Sequence, residues 1–216
     1  YAKHPSMKHG ALLVLLIMAA LTGRTQDDAR TAANVQMRQG DLWMQLGEWE
    51  EALSAYTMAI ETDPSHAEAY LRRATIHRHR QEFTQALQDY NTALRLNPFA
   101  EAWYDARART RILAQDLKGV EQDLSQLRAL GSQGADTRER IADLQLLLGN
   151  YRAAGDLLNA RLSEERGDTT LALKLSFARL REGDLPAAEE AVRTALDLDP
   201  AYASAQDQLG LVLMAD

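Results

Sequence analysis

Seven arginines, Arg72, Arg73, Arg78, Arg80, Arg107, Arg109 and Arg111, crowd into two stretches of a chain that carries a formal charge of −7 over 216 residues. A planar guanidinium matches a carboxylate with two parallel N–H donors, so the cluster suits an acidic segment or a C-terminal carboxylate of a partner. The same pattern is that of a solvated helix face, the arginines pairing with Glu68, Glu82, Asp89, Glu101 and Asp105. The sequence leaves both readings open. Other chemistry has less to stand on. His77 and His79 lie two apart and point to different sides of a helix, so they cannot grip one ion well. The acid pairs Asp27-Asp28 and Glu50-Glu51 are ordinary near helix starts. With no phosphate-binding glycine loop and no nucleophile motif, catalytic, cofactor-binding and metal-ligating residues are none, and the chain reads as a non-enzyme. Its acidic balance argues against nucleic acid as a partner, and the lack of Cys removes disulfides and thiolate zinc sites.

The elements that would position these arginines follow from a repeat. Pro64 and Pro98 lie 34 residues apart and Pro200 three such periods further on, with Ser132 and Arg166 in the two intervening places. On that period Leu46-Gly47, Leu148-Gly149 and Glu182-Gly183 end a first helix, and Arg80-Gln81 and Ala114-Gln115 stand in the matching places. Glu48, Glu82, Asp116, Asn150 and Asp184 follow as caps of a second helix, with Trp49, Phe83, Leu117, Tyr151 and Leu185 expected to wedge between hairpins. Small residues recur at Gly40, Ala74, Ala108, Ala142 and Ser176, and at Ala52, Ala86, Ala154 and Ala188, with Val120 the one bulky exception. Tyr56, Tyr90, Leu124, Leu158 and Val192 come one turn later on the same stripe. Ser65-x-x-Glu68 has the form of a capping box, and Asp136 is placed to cap the first helix of the fourth copy.

In this pattern the chain resembles the tetratricopeptide repeat proteins over roughly residues 33 to 214. The resemblance implies an all-α, tetratricopeptide-type α-solenoid, a right-handed superhelix of antiparallel helix pairs. About five repeats are expected, at 33–66, 67–100, 101–134, 135–168 and 169–202, with a partial one at 203–216. It also implies a scaffold that binds a peptide or helix of a partner protein in a concave groove lined by first helices. By that analogy Arg72, Thr75, Arg78, His79, Asp105, Arg109 and Ile112 form a basic middle suited to an acidic partner. Met37, Asp41 and Met44 extend the groove on one side, and Asp143, Leu147, Phe177 and Arg181 on the other. Met37 and Asp41 stand where the family's clamp for chaperone tails has a basic residue and an amide, so that clamp is not reproduced. Trp43 and Trp49 are expected in the core, and Trp103 half exposed.

The N-terminus bears on compartment. Residues 1–6 read as an upstream or non-native segment. Met7-Lys8-His9, the apolar run Ala11 to Leu21 and the polar residues that follow resemble a secretory signal peptide over 7–26, which leaves 27–216 as the repeat domain. Eleven apolar residues are too few to span a bilayer core. The expectation is an exported protein, periplasmic or extracellular, with no membrane association once the leader is removed. Leu209, Leu211, Val212, Leu213 and Met214 crowd the last helix, which suggests self-association there, or an adaptor portion of a larger enzyme or envelope assembly.

Overall fold

The computed structural model describes residues 7–131, 134–165 and 167–215, with side chains from residue 25 onward. Residues 1–6, the side chains up to residue 24, where the expected signal segment falls, and Ser132 and Arg166 of the proline register lie outside those described. Every regular element among them is a helix: α1 (Met7–Leu46), α2 (Trp49–Thr62), α3 (Ala67–His79), α4 (Phe83–Leu96), α5 (Glu101–Leu113), α6 (Leu117–Gly131), α7 (Ala135–Leu147), α8 (Tyr151–Glu164), α9 (Thr169–Glu182), α10 (Leu185–Leu198) and α11 (Ala203–Ala215). They form two compact units, one ending at Pro98 and one beginning at Phe99. In the first, α1 packs on α2 and α3 on α4; in the second the pairs are α5 with α6, α7 with α8 and α9 with α10, and α11 packs on α10.

Each first helix ends the same way. Residues 47, 81, 115, 149 and 183 all have positive φ, between 59° and 92°, although two of them are Gln81 and Gln115. The next N–H reaches five residues back, as from Glu48 to Trp43 O and from Asp184 to Arg179 O, so orphan carbonyls at the helix end are satisfied. The following residue then opens the second helix at all five places. Only the aspartates close the cap with a side chain: Asp116 accepts from Gly119 N at 2.9 Å and Asp184 from Ala187 N at 3.2 Å. Glu48 makes no cap bond, Glu82 turns to His77, and Asn150 donates to Gln145. The capping box at Ser65 is not formed: His66 is the cap residue, and the Ser65 hydroxyl donates to Asp63 at 2.6 Å. Asp136 lies inside the first turn of α7, whose cap is Gly134, and does not cap it.

The stripes fill the cores. Ala74, Ala108, Ala142 and Ser176 are fully buried, as are Ala52, Ala86, Val120, Ala154 and Ala188, and Tyr56, Tyr90, Leu124, Leu158 and Val192 beside them. A Cβ added at Gly40 would stand 2.5 Å from the Tyr56 ring, which is why the first copy needs glycine there. The wedge residues behave differently from expectation. Leu117 is 62% exposed, and Trp49 leaves the core to rest its ring 5.2 Å from that of His79. Trp43 packs half-buried against the core of the first unit, and Trp103 is partly exposed.

Candidate functional site

Most of the clustered arginines are engaged within their own hairpins, and the reason lies in the second helices. Asp89 on α4 and Asp123 on α6 stand one period apart, each facing back onto the first helix. Arg73 holds Asp89 with two bonds of 2.8 Å. Arg107 reaches Asp123 through Nε at 3.1 Å, and Arg111 adds Nη1 at 2.8 Å while also donating to Gly119 O at 2.6 Å. Asp123 is fully buried, and burial pushes its carboxyl up from the ordinary value against the pull of both guanidiniums. Arg80 meets Glu50 at 2.7 Å. These four arginines hold hairpins together and offer little to a ligand.

The residues assigned to the groove divide by unit. In the first, Met37 is only 6% exposed: it belongs to the core with Ala33, Ala52 and Tyr56, because it lies on the stripe of α1 that faces α2, and so does not line a groove. Met44 packs half-buried on the same cluster. Asp41 accepts from the Tyr56 hydroxyl at 2.8 Å, and burial together with that bond pushes the phenol up from its ordinary range. Arg72 lies 3.2 Å from Glu68 and 3.5 Å from Asp41. Thr75 donates to Leu71 O, and His79 lies against Trp49. Arg78 alone of the seven arginines has no ion-pair partner among the described residues.

In the second unit the first helices are tied by alternating charges. Asp105, 8% exposed, accepts from Arg109 at 2.9 Å, and Arg109 lies 3.6 Å from Asp143 across on α7. Asp143 meets Lys174 of α9 at 2.8 Å, and Lys174 meets Glu139 at 2.7 Å. A cavity of about 250 Å³ lined by Arg109, Asp136, Glu139, Arg140 and Asp143 opens beside this ladder. Its two cations and three carboxylates leave no basic surplus. Arg72 and Arg109 thus pair with carboxylates of their own and neighbouring helices, one of the two arrangements the sequence allowed.

Apolar groups also remain open. Ile112 is half-buried, but Leu113 and Leu147, at the ends of α5 and α7, are 57% and 54% exposed. Phe177 on α9 is partly exposed and meets Tyr151 edge-on with ring centres 6.2 Å apart. Arg181 covers both rings, at 5.0 Å from Tyr151 and 5.9 Å from Phe177, and has no carboxylate partner among the described residues. Tyr151 was not singled out for this role by the sequence. The signal was present, since Tyr151 and Arg181 stand three periods after Trp49 and His79, which stack in the first unit.

Stacked helix hairpins of this kind are those of helical repeat proteins, and comparison with known proteins agrees. A tetratricopeptide repeat family model matches residues 37–106. Tetratricopeptide repeat protein 16 of Macaca fascicularis is 28% identical over 184 residues, which is 81% of this chain and 19% of that protein. Among solved structures, a tetratricopeptide repeat protein from Parabacteroides merdae ATCC 43184 aligns with a TM-score of 0.68 at 23% identity, covering 85% of this chain and 72% of that one. YrrB, described as a TPR protein with an unusual peptide-binding site, aligns with a TM-score of 0.60 at 18% identity, covering 80% and 89%. The matched stretches span about a fifth of the length of the curated relatives. Residues 37–106 match a tetratricopeptide repeat, and the fold class is the all-helical tetratricopeptide type.

Proposed function

We propose that this chain is an exported scaffold that binds a polypeptide segment of a partner protein along the inner edge of its first helices. The observation that carries this reading is the exposure of Leu113 and Leu147 at helix ends and of Phe177 on α9, beside first helices tied by paired charges. Surfaces that combine exposed apolar groups with a rigid helical frame suit extended or helical partner segments. The peptide-binding site described for YrrB, a protein of the same fold, supports it. A photo-crosslinking residue placed at Leu147 should capture a partner peptide, while the same residue at Leu96 on a second helix should not. Equal capture at both positions would refute the reading.

Export rests on the basic start and apolar run of residues 7 to 21, and it implies a periplasmic or extracellular protein. Mass spectrometry of the protein from fractionated cells should find a mature N-terminus near residues 23 to 27. An intact Met7 in the exported fraction would contradict it. A second reading, self-association through α11, is favoured by the exposure of Leu211, Leu213 and Met214 and by Gly210, beside which an added Cβ would meet open space. Light scattering over a dilution series separates it from a monomeric binder.

A further inference from the structure

Arg181 differs from the other cations of the second unit in what surrounds it. Arg109, Arg140, Lys174 and Arg179 all have carboxylates within 4.0 Å. Glu182, the acid next to Arg181 in sequence, is engaged by Arg179 Nη1 at 2.7 Å and approached by Arg152 at 3.9 Å. The Arg181 guanidinium carbon instead lies 5.0 Å from the centre of the Tyr151 ring and 5.9 Å from that of Phe177, two rings that stand nearly perpendicular. The guanidinium can lie flat on at most one of them, and its N–H donors meet no carboxylate among the described residues. A pre-positioned guanidinium on an aromatic platform is a site for a carboxylate, because the stacking limits its rotamers before any ligand arrives and an ion pair beside apolar rings is less screened than one in open water.

The repeat register says what flanks that carboxylate. One copy before Arg181 the same position holds Leu147, exposed, and one copy after Phe177 the same position holds Leu211 on α11, 56% exposed. Both neighbours are within the second unit, and α9 packs against α11. A segment running across the ends of α7, α9 and α11 would meet an aliphatic group, then the cation, then an aliphatic group again. That order suits an acidic side chain inside a segment better than a chain terminus.

We propose that the end of α9 reads a side-chain carboxylate of a partner protein segment: Arg181 takes the carboxylate with two N–H donors, and Leu147, Tyr151, Phe177 and Leu211 cover the aliphatic residues that precede and follow it. This deepens the polypeptide-binding reading above and rests on it. The test is fluorescence anisotropy of the full chain with a fluorescein-labelled peptide, Ser-Leu-Ser-Leu-Glu-Leu-Ser-Leu amide, beside versions in which Gln or Lys replaces the central Glu. The Glu peptide should bind at least tenfold tighter than the Gln peptide, and Arg181→Glu should reverse the order in favour of the Lys peptide. That exchange is one a misfolded variant could not produce. Arg181→Lys should bind the Glu peptide more weakly than wild type, because an ammonium lacks the planar fork. Equal binding of the Glu and Gln peptides, or binding of none, overturns the carboxylate assignment. Neither result bears on cross-linking at Leu147, which decides separately whether a polypeptide docks at all.

Discussion

His77 of α3 and Arg111 of α5 stand one 34-residue period apart and face matching neighbours: an acid five residues on, Glu82 or Asp116, and a buried acid twelve residues on, Asp89 or Asp123. In α3 the imidazole meets Glu82 at 2.6 Å and stays 4.0 Å from Asp89, whose bonds go to Arg73. In α5 the longer guanidinium crosses to Asp123 and on to the Gly119 carbonyl, so Asp123 lies between two arginines. Arg111 fits because position 119 is glycine: a Cβ there would stand 2.7 Å from Arg111 Nε, whereas the matching residue in α4 is Gln85. The contrast shows how one scaffold position carries either an imidazole or a guanidinium tie, with the neighbouring helix adjusted in volume to match.

Removing the central acid should break the two hairpins unequally. Asp123→Ala removes the buried carboxylate that Arg107 and Arg111 share and should cost about 3–5 kcal/mol. Asp89→Ala strands only Arg73 and should cost about 1.5–3 kcal/mol, both read from urea unfolding followed by circular dichroism. Equal losses would mean that the second arginine adds nothing. The buried tyrosines sharpen the comparison of neighbouring copies. Tyr56 donates to Asp41, so Tyr56→Phe should cost about 1 kcal/mol, whereas the buried Tyr90 hydroxyl has no hydrogen-bond partner among the described residues and Tyr90→Phe should be neutral or slightly stabilising. A smaller gain is expected at the two turns that hold glutamine in a left-handed conformation. Gln81→Gly and Gln115→Gly should each stabilise by up to about 1 kcal/mol, while Gly183→Ala should lose a similar amount.

The smallest effect concerns the ladder, which unlike the triads is partly open to water. Burial works against the Lys174 charge, but the bonds to Asp143 and Glu139 outweigh it, and the ammonium is held above its ordinary 10.5. Its contribution is therefore full below that value and is lost as pH rises through the folded-state value. The difference in melting temperature between wild type and Lys174→Met should be present at pH 8 and shrink in strongly alkaline buffer. A difference that grows with pH would contradict the pairing.

Small residues at fixed intervals made the cores legible in the sequence, because a position buried in every copy tolerates only a narrow range of volumes. The turns were legible at Gly47, Gly149 and Gly183, and register extended them to Gln81 and Gln115. Some side-chain partners were legible too: Glu68, Asp89 and Asp105, named beside the arginines, meet Arg72, Arg73 and Arg109, although the sequence left that pairing and ligand binding both open. Met37 was set in a groove because one register position on a helix is only 100° from the next, and that rotation separates core from surface. Of the patch at Arg181, register placed Leu147, Phe177 and Arg181 in the groove, but Tyr151 was missed because it comes from the next helix, α8.

The account holds that recognition lies in the exposed apolar edge and not in the paired arginines. The direct measurement is the affinity of the partner segment cross-linked at Leu147, titrated against folded variants of the full chain. Arg72→Ala with Arg109→Ala should bind within about twofold of wild type, and Leu147→Ser with Phe177→Ser should lose tenfold or more, near 1.4 kcal/mol or above. The opposite ranking, with the arginine variant losing its partner and the edge variant keeping it, would contradict the account.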